Sequence, residues 1–439
     1  MVFEKYLEFF KSRELQAAII WKNKTFSFDW LYNRINFWTN ELKREGVKSK
    51  SIVILESNFS PNTIAIFFAL IKSKSIIVPL LNSKNINKDE FYNTSQAEVS
   101  IYLDFDENLK ISLLNNVKNH KLYQELNNNN KAGLLLFTSG STGKKKGVLH
   151  DLEKMLAGYL FTENSYRTLL FLLFDHIGGL HTLFYSLSKG SCLVIPDDRC
   201  ADSLCRAIES KRVEVFPTTP SFLNLLILSN VSSRFDLSSL KYITFGAEVM
   251  PSYTLEECKK HFPTVSFIQQ YGSTELGILK SKPKDTNALF LKLSEKHQVK
   301  VYNNLLYVKT DTSMLGYINA PSPFDDEGWY NTKDFVESEY DCFRVVGRES
   351  NIINIGGEKV IPAEVEEVIL SMDGVENVLV HGEKNSVLGE IVCSTIKLKP
   401  GIESVGFSNK LRKYCFERLE SYQIPMKIYF SDNDLKKKI

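Results

Sequence analysis

Residues 134–148 read Leu-Leu-Leu-Phe-Thr-Ser-Gly-Ser-Thr-Gly-Lys-Lys-Lys-Gly-Val, and no other stretch constrains the fold as tightly. Leu134, Leu135, Leu136 and Phe137 form an unbroken apolar run, as expected of a short strand covered on both faces of a sheet. It gives way at once to a loop rich in hydroxyls and glycines. Gly140 and Gly143 let the main chain come close to an anion, while Thr138, Ser139, Ser141, Thr142 and the backbone N–H groups offer donors to phosphate oxygens. Lys144, Lys145 and Lys146 add positive charge alongside. A solvated surface loop can share this composition, but the apolar strand before it and Gly147-Val148 after it favour a phosphate loop.

The rest of the chain reads as a scaffold for that strand. Apolar residues recur at helical spacing over 31–45, and residues 51–55 read as a buried strand. Helix and strand patterns then alternate through 64–70, 75–78 and 99–103, which predicts an α/β domain with a largely parallel sheet. Further strands are expected at 168–174, 190–196, 213–217, 242–245 and 304–308. No residue before Leu134 is assigned to chemistry. A length of 439 residues, with 43% hydrophobic and 24% charged residues, suits a soluble protein of two or three domains. The net charge of +2 leaves no electrostatic footprint for nucleic acid. Seven cysteines, an odd number without a C-x-x-C pair, favour reduced thiols in a cytoplasmic protein over a disulfide framework or a zinc motif. The N-terminus lacks the apolar core of a signal peptide, and the apolar stretch 64–80 is broken by Lys72, Ser73 and Lys74, so no membrane partner is expected.

The loop is not a Walker A motif, because only two residues separate Gly140 from Gly143 and Lys145 follows Gly143-Lys144. Residues 138–147 instead resemble T-S-G-S-T-G-x-P-K-G, the phosphate-binding signature of the adenylate-forming superfamily. That group holds acyl- and aryl-CoA synthetases, the adenylation domains of peptide synthetases and beetle luciferases. Lys146 takes the place of its lysine, and Lys145 stands where proline is usual. Tyr271-Gly-Ser-Thr-Glu275 matches the family's Y-G-x-T-E, and residues 343–366 match G-R-x-D-x-x-I-x-x-G-G-E-x-V-x-P-x-E-V-E. The resemblance runs from about residue 134 to 425, with the three motifs in the family's order.

The resemblance implies an α/β fold: a large N-terminal AMP-binding domain, 1–348, and a small mobile α+β domain, 349–439, incomplete at its end. It places phosphate on Thr138, Ser139, Gly140, Ser141, Thr142, Gly143 and Lys146, and adenine against Gly246, Ala247 and Glu248. In the segment Gln270, Tyr271, Gly272, Ser273, Thr274, the tyrosine can stack on a purine and Thr274 can bond the α-phosphate. Glu275 supplies a hard carboxylate oxygen for Mg2+. A capped helix start, with Ser273 or Thr274 as its cap, is a second reading of the same residues. Asp334, in a G-W-x-x-T-G-D match where Lys333 replaces the glycine, would accept from the ribose hydroxyls, and Arg348 would contact the nucleotide. His176 lies where the family's acyl pocket is, with Gly246 on its other side. Position 350, the family's pivot, is Ser350.

Gly356-Gly-Glu-Lys359 is closer to CoA ligases than to peptide-synthetase domains, with Gly356 and Gly357 leaving room for a pantetheine arm. The family's late catalytic lysine would fall beyond Ile439 if Asp434-Leu435 aligns with the start of its motif. The chain either stops short of that lysine or does without it. The expected activity is an ATP- and Mg2+-dependent acid–thiol ligase in which Thr138, Lys146, Thr274 and Glu275 serve catalysis and coenzyme A accepts the acyl group. The alternatives are transfer to an acyl carrier protein and a nucleotide-binding pseudoenzyme. Which carboxylic acid it takes is not legible.

Overall fold

The apolar run at Leu134 becomes an inner strand, Gly133–Ser139, with Leu134 and Leu135 wholly buried. It lies parallel to Ile76–Leu80, which neighbours Ile52–Glu56 and then Val99–Leu103. Ile52–Glu56 and Ile76–Leu80 are buried at every residue, because helices cover the sheet on both sides. The sheet has seven strands and is mixed at its edges, with Leu109–Leu113 antiparallel on one side. On the other side Lys145–Asp151 runs back antiparallel to Gly133–Ser139, followed by the two-residue strand Gly316–Tyr317. The phosphate loop therefore joins two strands of a hairpin. The computed structural model describes residues 2–82, 88–139, 144–159, 165–283, 289–386, 388–431 and 435. Gly140, Ser141, Thr142, Gly143 and the basic tail at 436–438 lie outside them.

A second seven-stranded sheet runs in the order Ser266–Gln269, Tyr242–Phe245, Val215–Thr218, Arg167–Leu169, Cys192–Val194, Ala17–Trp21, Lys24–Ser27. All of its pairings are parallel except the final hairpin. The strand expected over 168–174 spans only Arg167–Leu169. Beyond it the chain turns toward the helix Ile177–Ser188, where a Cβ on Gly179 would meet the Leu173 carbonyl oxygen at 2.0 Å. Between the two sheets sits the main core, in which Phe10, Phe28, Phe67, Phe68 and Phe184 interlock at tilted and edge-on angles.

A six-stranded antiparallel sheet formed between Ser281 and Arg348 follows. The small domain carries its own core, built from Ile353, Val360, Val365, Ile369, Val392, Ile396 and Leu411. Its helix Pro362–Leu370 starts on a proline, whose missing N–H costs nothing at a helix start. The helix expected over 409–419 runs Phe407–Phe416.

The helix Pro61–Lys72, buried along nearly its whole length, depends on its first turn. Ser60 Oγ accepts from the Thr63 N–H at 3.1 Å and donates to Glu107 Oε1 at 2.7 Å. Ser60→Ala strands the buried Thr63 N–H and removes one of two hydrogen bonds on Glu107 Oε1, which keeps the Asn62 N–H at 2.8 Å, and we expect a loss of about 1–2 kcal/mol. Urea midpoints measure it, with Ser27→Ala, at a more exposed cap, costing less; a Ser60→Ala midpoint equal to wild type would refute the cap's role.

Candidate nucleotide site

Strand alternation puts Lys146, Val148 and His150 on one side of Lys145–Asp151. Thr138 lies opposite Lys146 in the hairpin register. Gly316–Tyr317 pairs with Leu149 and Val148, which delivers the Tyr317 ring to Lys146, whose Nζ stands 5.1 Å from the ring centroid. The Tyr317 hydroxyl donates to Glu275 Oε1 at 2.9 Å. Burial and the Glu275 charge push both the Tyr317 and Tyr330 phenols above their ordinary range, so both remain protonated donors beside that carboxylate. From before Leu134, Glu90 reaches this hairpin: its carboxylate accepts from the Lys145 N–H at 3.2 Å.

Glu275 sits in a hairpin, not at a helix start, so the capped-helix reading is corrected. Tyr271–Ser273 pairs antiparallel with Gly277–Leu279, and Ser273 Oγ accepts from the Leu276 N–H at 3.3 Å across the turn. Gly272 makes this possible, since a Cβ there would lie 2.2 Å from the Gly277 carbonyl oxygen. His150 Nε2 lies 2.6 Å from the Thr274 carbonyl oxygen. A carbonyl can only accept, so Nε2 carries the hydrogen and Nδ1 is left bare, buried without a partner among the described residues. Burial pushes the His150 imidazole down to about 4. The ring thus joins the phosphate hairpin to the Thr274-Glu275 turn as a neutral donor.

Asp334 is 6% exposed and receives Tyr271 Oη at 2.7 Å on one oxygen and Arg348 Nε at 2.9 Å on the other. Burial raises its carboxyl against the opposing pull of Arg348, while Asp334 in turn raises the guanidinium. A carboxylate has about four lone-pair positions, so two remain for a diol. Tyr271 is itself 8% exposed, with its ring edge-on to Phe343, so its place is beneath Asp334 rather than on an open stacking face. Lys333 has φ +60°, which explains why glycine is usual at this position; its N–H donates to Asn331 Oδ1 at 2.8 Å, and the turn is kept.

Gly246 packs against this group from the second sheet, where a Cβ would meet the Gln270 carbonyl oxygen at 2.7 Å. Ala247 adopts φ +68°, and Glu248 accepts from the Ser221 N–H at 2.9 Å and hydroxyl at 2.5 Å, tying the turn to the helix Pro220–Leu228. His176 is more outlying: its ring bonds Asp175 Oδ1 at 2.7 Å and is 61% exposed. Gly356 and Gly357 form the two-residue turn between Ile353–Ile355 and Glu358–Val360 in the small domain, at φ +56° and +100°. Contacts join Lys146 to Glu275 through Tyr317 and Tyr271 to Arg348 through Asp334, and the hairpin that carries Tyr271, Thr274 and Glu275 makes the two sets one group, with Gly246 and Gln270 adjoining it. No contact described here ties His176 or the Gly356-Gly357 turn to that group.

Residues 10–289 match the AMP-binding enzyme family, and residues 364–439 match the AMP-binding enzyme C-terminal domain. The chain belongs to the AMP-binding enzymes. Among similar proteins, the 2-succinylbenzoate–CoA ligase of Bacillus licheniformis is 29% identical over 69% of this chain and 66% of its own length. That of Bacillus pumilus is 26% identical over 95% of this chain and 91% of its own. ATP-bound MatB from Rhodopseudomonas palustris superposes with a TM-score of 0.84 at 18% identity, over 100% of this chain and 96% of that one. The anthranilate CoA ligase AuaEII, in complex with anthranoyl-AMP, gives 0.82 at 19% identity over 98% and 94%. These structures share the fold of this AMP-binding enzyme. No described helix is long and apolar enough to cross a membrane.

Sequence reasoning missed His150 and passed over Tyr317. His150 had a signal, since it lies on the Lys146 side of the strand four residues on. Tyr317 had none, because its role arises from pairing across the sheet.

Two predictions follow from this geometry. His150 and His181 are both held by burial at about 4, below the ~6.5 of an unfolded chain. Between those values the unfolded chain binds protons that the folded chain refuses, so stability present above pH ~6.5 is lost as pH falls, by about 1.4 kcal/mol per unit for each ring. His150→Gln keeps an N–H for Thr274 and should remove one ring's share of that slope in urea melts between pH 7 and 5; an unchanged slope would mean the ring is not buried as the neutral form. Separately, Lys333→Gly should stabilise the fold by about 0.5–1 kcal/mol by relieving left-handed strain, net of glycine's chain entropy. A lower melting temperature would show that the lysine's ion pair with Glu349 outweighs the strain.

Proposed function

We propose that this AMP-binding enzyme activates a carboxylic acid with ATP, giving an acyl-adenylate and pyrophosphate, and then transfers the acyl group to the thiol of coenzyme A. The observation that carries the reading is a pair of contact runs, Lys146–Tyr317–Glu275 and Tyr271–Asp334–Arg348, brought together by the one hairpin that carries both Tyr271 and Glu275. It gathers a cation, a hard carboxylate and a diol acceptor, the groups a nucleoside triphosphate needs.

In this reading Thr138, Ser139, Gly140, Ser141, Thr142 and Gly143 hold the outer phosphates, and Lys146 neutralises them. Thr274 meets the α-phosphate, Asp334 the ribose hydroxyls and Arg348 the ribose or phosphate edge. Gly246, Ala247 and Glu248, with Gln270, border the adenine. Glu275 holds Mg2+: its carboxylate is steered by the Tyr317 hydroxyl, and carboxylate oxygen is the donor that ion prefers. When bound, Mg2+ lowers the repulsion between an anionic acid and an anionic polyphosphate. The Gly356-Gly357 turn suits a pantetheine arm, since a Cβ on Gly357 would meet no atom within 4 Å. We place the domain boundary between 348 and 349, at the start of the short turn Glu349–Asn351.

For the acid, the relatives' names point to 2-succinylbenzoate, which carries two carboxylates. Arg199 suits a second anionic group. It stands over the Phe171 ring at 5.2 Å, near the carboxyl ends of the second sheet's strands, where ligands bind in open α/β sheets. Burial lowers its pKa, and it has no ion pair among the described residues.

Acid-dependent exchange of labelled pyrophosphate into ATP tests the activity, with 2-succinylbenzoate in a panel of carboxylic acids. Glu275→Ala should cut exchange by about 10²–10³-fold, and Tyr317→Phe by about tenfold through loss of one steering hydrogen bond. Exchange absent with every acid would favour nucleotide binding without catalysis. Product formed on a carrier protein but not on coenzyme A would replace the acceptor.

A further inference from the structure

The small domain's sheet gathers three metal-ligating side chains away from the nucleotide site. His381 and Cys393 are direct partners across the antiparallel pair Val375–Asn385 and Gly389–Leu398. Glu383, two residues beyond His381, points to the same face. One ligand atom from each lies within 4.8 Å of the other two, and His381 Nε2 is 3.7 Å from Glu383 Oε1. Bonds of about 2.0–2.3 Å in a tetrahedral zinc site hold ligand atoms roughly 3.3–3.8 Å apart. The group therefore needs to close by about 1.5 Å at most, within the reach of side-chain rotation.

The existing commitments of these groups favour exchange. His381 turns Nε2 toward Glu383 at 3.7 Å, beyond hydrogen-bond distance, and its Nδ1 is buried without a hydrogen-bond partner among the described residues, so no hydrogen bond fixes the ring against turning onto an ion. Cys393 is wholly buried, and its Sγ makes a long contact of 3.9 Å to the Ile391 carbonyl oxygen besides weak hydrogen bonds with Glu383 and the Lys427 backbone N–H. Glu383 accepts from Lys427 Nζ at 2.6 Å and from the Tyr429 hydroxyl at 2.9 Å. Lys427 lies opposite Cys393 on the neighbouring parallel strand and is 51% exposed, so it can swing into solvent at little cost.

We propose that His381, Glu383 and Cys393 form a zinc site with its fourth position open to water or an incoming ligand. Thiolate and imidazole select zinc over Mg2+ or Ca2+, which keeps this site chemically apart from Glu275. The ion takes over from Lys427 as the positive partner of Glu383.

The full chain, stripped with a chelator and dialysed, is titrated with Co2+ as a spectroscopic probe and then with Zn2+. Wild type should take up one Co2+ per chain with a thiolate-to-cobalt charge-transfer band, and Zn2+ should displace it. Cys393→Ser should lose the band. Glu383→Gln, at a partly exposed position, should weaken uptake by about tenfold or more. Lys427→Met should tighten it about three- to fivefold by removing the competing cation. If Cys393→Ser fails to fold, the other two variants still decide. The site is overturned by no saturable uptake at micromolar metal, or by uptake that neither Glu383→Gln nor Lys427→Met changes.

Discussion

On the proposed reading, an ammonium and a carboxylate that serve one polyphosphate must not be allowed to grip each other. At 4 Å their attraction is worth about 4 kcal/mol near a protein surface, enough to collapse an open site into an ion pair. Tyr317 stands between Lys146 and Glu275 and satisfies both: its ring faces the ammonium, and its hydroxyl holds the carboxylate. The ring is there because Gly316–Tyr317 pairs with Leu149 and Val148 on the strand that carries Lys146. The charge separation in the candidate site is thus set by sheet register.

A second set of contacts ties the site to the small domain. Asp334 and Arg348 lie on paired strands, and the chain passes from Arg348 directly into the turn Glu349–Asn351. Nearby, Arg344 donates to Ser252 Oγ and to Glu367 Oε2, both at 3.1 Å, and so bridges a helix of the large domain and the helix Pro362–Leu370. Tyr253 packs against the small domain's core from the same direction. Asp334 is therefore paired with a residue two positions before Ser350 and lies one strand away from the Arg344–Glu367 ion pair.

Much of this was legible in the sequence because apolar periodicity reports burial directly. The strand Val99–Leu103 has the limits its pattern predicts. Boundaries failed where packing overrode propensity, as at Leu170, where the apolar run continues but the chain leaves the sheet to let Gly179 close in. The motif residues Glu275 and Asp334 were found because their chemistry is local to short patterns. The contacts that orient them were not, since Tyr317–Glu275, Tyr271–Asp334 and His150–Thr274 join residues 42, 63 and 124 positions apart. Lys333 marks another limit: a glycine preference is readable, but a lysine's tolerance of φ +60° depends on the hydrogen bond its turn makes with Asn331.

The phosphate loop lies between two antiparallel strands, with Lys145–Asp151 and no helix at its exit. Loops that lead into a helix enlist the partial positive charge of its first turn, which is built into the backbone and close to the anion. Here no such dipole backs the bend, and on the proposed reading the task falls to the exposed Lys144 and the half-buried Lys145 and Lys146. Charges of that kind are screened over about 10 Å at 0.1 M salt. A triphosphate held in the proposed way is gripped less firmly as ionic strength rises.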